Sequence, residues 1–430
     1  LFSFIFFFAF ILITQSSFYI YDYINQKNFL AEIFEPVKSD LITDEFGNIN
    51  ILLIGHGGGS HDGPNLTDSM IIASINPQQK NVMMLSIPRD FWVENKYSGG
   101  SRINEIYRNV KRKLEKNFQF TPESASQEAI RILQEKIGEI TSMDIPYHAK
   151  INFSGFIDII NTLGGIEIVN DKSIYDEAYP DGNWGIETFS LKKGPHTLDG
   201  STALKFARSR HNSSDFERAG RQQKVIQAIK DKTLSMGILT SPRKMKNLFS
   251  VFEKNFESNL SYYELLTIGF IGADIQKDNM FSAVLNDNYP SAGGFLVTPP
   301  RPEYGGAFVL IPYSGEKDYS RIHIFSSLFF HYRSLQNMSF EMLNGSSIPG
   351  KARQAASRME RYGLPIASIG NNKEDRVVEE TELWLYQEIP NQADFITQIE
   401  KIFPVKVIDM SGIYEEIDVT GSFIIGKNFK

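Results

Sequence analysis

Residues 49–54 read INILLI and run directly into Gly55. A short apolar run closed by glycine is the pattern of a strand buried on both faces. Two similar runs follow, SMIIASI at 69–75 and VMMLSI at 82–87, separated by Asn76-Pro77-Gln78-Gln79-Lys80-Asn81. An Asn-Pro step marks a turn, so the second and third runs are predicted to form a hairpin. Helical spacing appears downstream at 103–118, at 122–137 with Pro122 in the first turn and Gly138 at the end, and at 153–163 before Gly164-Gly165. Residues 166–169 read as a strand, and 202–209 and 216–232 as helices. Strands and helices mixed in this order predict an α/β fold, an α/β/α sandwich with a central mixed sheet.

At 430 residues the chain is too long for one ordinary core, so more than one domain is expected. Residues 241–333 are less regular, with a Gly/Pro-rich stretch at 293–306. A small α/β module begins near Ser339: a strand at 340–343, a helix at 349–362 capped by Gly363, and strands at 365–369, 383–386 and 405–408 around a helix at 393–402. At the other end, residues 1–13 read LFSFIFFFAFILI, and the apolar character resumes at Phe18–Tyr21 after a short polar patch. A spanning helix needs roughly 20 apolar residues, and aromatic residues favour the membrane interface. An uncleaved anchor over residues 1–24 is therefore expected, followed by a connector at 25–47, with the bulk of the chain extracytoplasmic. Because the chain opens on Leu1, a start codon and a basic flank are expected upstream.

Composition narrows the chemistry. There is no cysteine, which excludes disulfides, thiolate metal sites and a thiol nucleophile. A net charge of -7 argues against a nucleic-acid partner, which calls for a basic footprint.

Against that acidic background one segment is basic. Residues 207–223 read ARSRHNSSDFERAGRQQ and carry Arg208, Arg210, Arg218 and Arg221, balanced only by Asp215 and Glu217. Ser214 or Asp215 is placed to cap a helix, and Arg218 and Gln222 share its face at i, i+4. Guanidinium groups gathered near a helix N-terminus match phosphate oxygens. The alternative is a solvated charged helix with surface ion pairs. A second segment, GHGGGSHDGPNLTD at 55–68, follows the first strand. A glycine-rich loop there lets backbone approach a phosphate, although no Walker or dinucleotide pattern is present. Asp68, then Asp62, with His56 and His61 nearby, are the donors it offers to a cation such as Mg²⁺, which favours one or two carboxylates plus phosphate oxygens. A plain turn with a capping Asp explains the same letters. Third, Arg89 in Ile87-Pro88-Arg89-Asp90 ends a buried strand, where open α/β sheets bind ligands, and Arg102 in Ser101-Arg102-Ile103-Asn104 opens the next helix.

Together these pieces resemble the LytR–CpsA–Psr family. The matching stretches are NILLIG (50–55), TDSMIIASINP (67–77), VMMLSIPRD (82–90), RIN (102–104), NFSGFIDIINTLGGIEI (152–168), LKKGPHTLDGSTALKFARSRH (191–211) and DFERAGRQQ (215–223). Residues 339–425 also resemble a LytR C-terminal domain, through EMLNGSSIPGKARQAASRM. The resemblance implies a catalytic domain at 48–240, an associated extension at 241–333 and a C-terminal domain at 335–430. It implies a phosphotransferase that moves a glycan from a polyprenyl-pyrophosphate carrier to peptidoglycan, using Mg²⁺, with Mn²⁺ as the alternative. Arg89, Arg208, Arg210, Arg218 and Gln222 would bind the pyrophosphate, with Arg102 and Arg221 beside them. Asp68 would hold the metal. The family's usual Asp two residues after the first strand's glycine is Gly57 here, so Asp62 or His61 is expected to stand in. A pyrophosphate hydrolase and a non-catalytic lipid- or glycan-binding protein are the rival readings.

Overall fold

A computed structural model describes residues 41–58, 65–97, 99–180, 185–209, 215–235, 256–286, 294–333, 338–372, 376–413 and 417–429. They divide into two compact units. One comprises residues up to Lys136 together with Asp144–Val284, and the other Ile137–Met143 and everything from Leu285.

The first unit begins with β1 (Ile49–His56), β2 (Ser69–Asn76) and β3 (Asn81–Ile87). As the runs predicted, β2 and β3 form an antiparallel hairpin, and β1 pairs antiparallel with β2 in the register Gly55↔Ser69. A small hairpin, β4 (Trp92–Asn95) and β5 (Gly99–Arg102), leads into helices α1 (Ile106–Asn117) and α2 (Pro122–Thr141). α2 runs past Gly138, where sequence placed its end. A Cβ on Gly138 would lie 2.7 Å from the Met143 carbonyl oxygen, so the glycine serves the tight return of the chain rather than a stop. Next come β6 (Tyr147–Asn152), α3 (Phe153–Thr162), β7 (Ile166–Asn170), the hairpin β8 (Ile174–Pro180) and β9 (Ile186–Leu191), and β10 (Gly194–Leu198). Helices α4 (Gly200–Arg208) and α5 (Asp215–Ser235), strand β11 (Phe256–Ser258), helix α6 (Tyr262–Ala273) and strand β12 (Met280–Val284) complete the unit.

The sheet is mixed, in the order β11-β6-β1-β2-β3-β12. β6 lies parallel to β1, and β12 parallel to β3. Both edge strands lie beyond residue 240, so residues 256–284 belong to this unit. Strand alternation sorts the side chains. Ile49, Ile51 and Leu53 join one core with Ile159, Ile160, Phe206, Val225, Ile229 and Ile268 from α3, α4, α5 and α6. The opposite face meets α1 and α2. There the Lys150 ammonium pairs with Glu257 at 2.6 Å and donates to Tyr107 Oη at 2.7 Å and Ser126 Oγ at 3.2 Å. These bonds let a lysine occupy a central strand, since a buried charge must be paired and hydrogen-bonded.

His148 shares that face. Its Nδ1 meets Gln134 Oε1 at 3.1 Å. Burial, aided by the Lys150 charge and opposed by Glu257, pulls its pKa down to about 4. An unfolded chain therefore takes up the proton first as pH falls from about 6.5. Stability is lost on acidification through this interval, by about 2 kcal/mol between pH 6.5 and 5 from this residue alone. His148→Gln is expected to flatten that part of the acid limb, read as urea midpoints against pH. An unchanged slope would refute the assignment.

The second unit begins with the short pair β13 (Leu296–Val297) and β14 (Ile311–Pro312), then α7 (Ser320–Ser327), which continues as a wider turn over Leu328–Tyr332. Then follow β15 (Phe340–Asn344), α8 (Lys351–Arg361), β16 (Ile366–Asn371), β17 (Glu382–Leu385), α9 (Gln392–Ile402), β18 (Lys406–Asp409) and β19 (Gly421–Ile425). Its five-stranded sheet runs β16-β15-β19-β17-β18. Phe340 stacks on Phe395 at 5.7 Å, Tyr332 meets Phe395 edge-on at 5.1 Å, and Tyr332 Oη donates to Asp394 at 2.9 Å. This aromatic core fastens residues 294–333 to the α/β module.

No described helix is long and apolar enough to cross a membrane; residues 1–40, where the anchor is expected, lie outside the described residues.

Candidate functional site

The site forms at one end of the first unit's sheet. Register brings there the end of β1 (Gly55 opposite Ser69), the end of β3 (Ile87 opposite Met70) and the end of β6 (Asn152 opposite His56). Asn152 caps α3 by accepting from the Gly155 amide at 2.8 Å. The glycine loop passes close by. Gly58 has φ +70°, and a Cβ on it would lie 2.7 Å from Asn152 Cβ, so only glycine allows this approach.

Between this sheet end and α3, α4 and α5 lies a cavity of about 570 Å³, measured out to solvent. Ile71, Ile151, Phe156, Leu204, Val225 and Ile226 make its wall apolar, and its polar groups are Ser69, Asn152, Arg208 and Gln222. Arg208 is the last residue of α4. Its guanidinium sits 4.2 Å from the Phe153 ring centroid and donates to Tyr179 Oη at 3.2 Å. Stacking fixes the guanidinium plane while leaving N–H edges directed outward. Burial raises the Tyr179 pKa, opposed by the Arg208 charge, so the phenol stays protonated.

Arg221 has a different place from the one its spacing suggested. It is buried, its Nε donates to the Phe206 carbonyl at 2.8 Å, and its Nη2 donates to the Ser209 carbonyl. It closes the C-terminus of α4, whose last carbonyls lack helical partners. Ser209 in turn donates to the buried Asp176 at 2.8 Å. Both bonds position Arg208. Arg218 is half-buried on α5, one turn before Gln222. Arg210, Asp62 and His61 lie outside the described residues.

A second group of charges lies two to three strand spacings across the same end, roughly 10–15 Å from Asn152. Arg89 Nη1 donates to Asp68 Oδ1 at 2.9 Å, and its Nε stands 3.6 Å from Asp90. Arg102 bridges Asp90 at 3.5 Å and Glu105 at 3.2 Å. Burial pulls the Arg89 pKa down, but Asp68 and Asp90 outweigh it and the net shift is upward, so Arg89 is a fixed cation. Asp68 Oδ1 also accepts from Asn104 Nδ2 at 3.3 Å. Its Oδ2 accepts no hydrogen bond among the described residues. No group of three or more His, Asp or Glu side chains converges on a metal site among those residues. Among the described residues the donor set fits a cation held by one carboxylate together with ligand oxygens, the mode Mg²⁺ favours.

The structure thus brings Arg208 and Gln222 to one pocket, and Asp68, Arg89 and Arg102 to one network beside it. Sequence reading missed Tyr179, Asn104 and the stacking role of Phe153. The one signal available was Asn104, two residues after Arg102 in Arg102-Ile103-Asn104.

Fold and site define an α/β/α protein with an apolar pocket headed by an arginine. The chain belongs to the LytR_cpsA_psr family, whose model matches residues 16–296. It is 26% identical over 295 residues to TagU of Bacillus anthracis, named a polyisoprenyl-teichoic acid–peptidoglycan teichoic acid transferase; the match covers 66% of this chain and 87% of that protein. It is 23% identical over 369 residues to the cell wall biosynthesis protein LcpA of Corynebacterium glutamicum, covering 79% of this chain and 66% of that one. The crystal structure of B. subtilis TagV aligns with a TM-score of 0.48 at 21% identity, over 67% of this chain and 99% of the other.

Proposed function

We propose that this protein is a transferase that moves a glycopolymer from a polyprenyl-pyrophosphate carrier to peptidoglycan, leaving a phosphodiester bond. The observation that carries this reading is the pocket, an apolar cavity with Arg208 and Gln222 among its few polar groups. Such a lining suits an amphiphile with a hydrocarbon body and an anionic head. The activity named for the B. anthracis relative supports the same donor and acceptor classes.

In this reading a primary hydroxyl of the acceptor sugar attacks the glycan-side phosphorus. A new P–O bond forms, the bridging P–O bond breaks, and polyprenyl phosphate leaves with the electron pair. The hydroxyl proton passes to a carboxylate or to water. Phosphoryl transfer depends mainly on positioning and charge stabilisation. Arg208, with Arg210, Arg218 and Gln222, would hold the pyrophosphate, and Arg89 would stabilise charge developing on its oxygens. Asp68, with Asp62 as second candidate, would hold Mg²⁺ or Mn²⁺, which when bound neutralises pyrophosphate charge. The apolar N-terminal segment would anchor the chain, with the transferase outside the membrane.

The test incubates the full-length protein with a polyprenyl-pyrophosphate-linked saccharide, Mg²⁺ and peptidoglycan oligomers, read by mass spectrometry. A glycan–phosphate adduct on the oligomer is the expected product. Free glycan phosphate without adduct would make the protein a hydrolase, and unchanged donor would leave only a binding role. Leu204→Trp provides a second check. Leu204 lines the cavity and is half-exposed. The larger ring is expected to fill the lipid space and lower transfer by roughly tenfold or more. Stability should change by less than about 1 kcal/mol. Full turnover in this variant would place the lipid elsewhere.

A further inference from the structure

The second unit holds three arginines in one another's field. Arg321 lies on α7, and Arg358 and Arg361 lie at i, i+3 near the end of α8. All three act on the buried Tyr362, which packs edge-on against Phe295 at 5.5 Å. Aromatic rings hold two of the guanidiniums: Arg321 stands 4.8 Å from the Tyr313 ring centroid, and Arg358 stands 4.7 Å from that of Phe429.

This grouping is costly. Like charges repel, and none of the groups acting on Arg361 is a carboxylate: they are Tyr362, Arg358, Arg321 and Tyr313. Burial and the two neighbouring arginines lower its pKa, a sign that the site disfavours the charge it carries. Its Nε is buried and finds no acceptor among the described residues. Such an orphaned donor is unfavourable, because burial removes its water without replacing the hydrogen bond. The carboxylate that acts on Arg321 belongs to Asp318, whose Oδ1 accepts from the Ser320 amide at the start of α7 at 3.0 Å. A fold that sets Arg361 beside other cations and leaves its buried Nε without an acceptor among the described residues marks a place where a ligand completes the bonding.

We propose that Arg321, Arg358 and Arg361, with Tyr313, form an anion site in the second unit that takes a phosphate-class oxyanion. Guanidinium forks match the oxygens of a phosphate or phosphodiester. Stacking on the ring faces sets the forks in advance, so little side-chain entropy is lost on binding. A ligand oxygen would supply the acceptor that Arg361 Nε lacks. The site is composed entirely of second-unit residues and is separate from the pocket that carries the proposed transfer. The phosphate belongs either to a soluble phosphodiester polymer or to a lipid headgroup.

The test is equilibrium dialysis of labelled inorganic phosphate against the full-length protein. Arg208→Gln is present in every arm so that the first unit's pocket does not contribute. Arg361→Gln and, separately, Arg321→Gln are expected to weaken binding by roughly tenfold or more. In anion-free buffer the melting temperature of Arg361→Gln should be unchanged or higher, because repulsion is relieved; a merely structural arginine would lower it. If Arg361→Gln binds poorly and also melts early, Arg321→Gln decides: lost binding supports the site and retained binding overturns it. Undiminished binding in both variants overturns it outright, as does absence of phosphate binding in the Arg208→Gln parent. Oligomers of glycerol phosphate and phosphatidylglycerol vesicles, competed against the label, then assign the source. Displacement by the oligomer points to a polymer, and displacement by vesicles points to a headgroup.

Discussion

Arg208→Ala is expected to lower glycopolymer transfer by roughly 10²–10³-fold, the range for losing one preorganised donor to developing negative charge. The size of the effect follows from how Arg208 is held. Phe153 supports the plane of its guanidinium and Tyr179 takes one N–H. Arg221 and the Ser209–Asp176 bond fix the end of the helix that carries it. A donor fixed in this way needs no reorganisation when charge builds on the pyrophosphate, so the loss should fall mainly on kcat. The side chain is half-exposed, so the melting temperature should move little. Arg208→Lys keeps the charge but gives up the fork and the stacking, and should recover only part of the rate. Steady-state kinetics on the mass-spectrometric assay separate these cases. Turnover in Arg208→Ala within a few-fold of wild type would remove Arg208 from the reaction.

Gly200→Ala should damage the fold more than any exposed substitution in the first unit. Gly200 opens α4 where that helix crosses α3, and its amide donates to Asn161 Oδ1 at 2.9 Å. A Cβ there would lie 2.2 Å from the Ile157 carbonyl oxygen and 2.7 Å from its Cα. These are backbone atoms, so no rotamer relieves the clash and the helices must separate. α4 also buries Ala203, Phe206 and Ala207 and supplies Leu204 and Arg208 to the pocket. Overpacking at a rigid contact costs about 3 kcal/mol or more. Urea unfolding should show a lower midpoint, with transfer lost in parallel. A midpoint within error of wild type would mean the two helices have slack that their contact does not suggest.

Sequence reading reached the elements whose side chains alone announce burial. β1, β2 and β3 are nearly continuous apolar runs, because helices cover both of their faces. β6 escaped notice for the opposite reason. Tyr147-His148-Ala149-Lys150-Ile151-Asn152 alternates apolar and polar residues, and His148 and Lys150 are buried with partners on α1, α2 and β11. Those partners are distant in sequence, and no local pattern reports them. β11 and β12 are short, and their pairing is set by the sheet they complete. The same holds at the site. The density of arginines in 207–223 pointed to an anion, but only the folded chain separates Arg208, which faces the cavity, from Arg221, which ties down a helix end. Tyr179 was invisible because it reaches the site from a hairpin with no motif of its own.

The placement of the edge strands also shapes how the chain reaches this fold. β12 pairs with β3 about 200 residues after β3 is made, and β11 closes the other border about 105 residues after β6. Pairings this remote give high contact order and slow folding. Until residues 256–284 emerge, the early strands have open edges and unpaired backbone groups, a template for aggregation. The sheet that carries the pocket is thus sealed late in synthesis. A chaperone, or a neighbouring membrane surface, would have its greatest effect on yield during that interval, before the borders close.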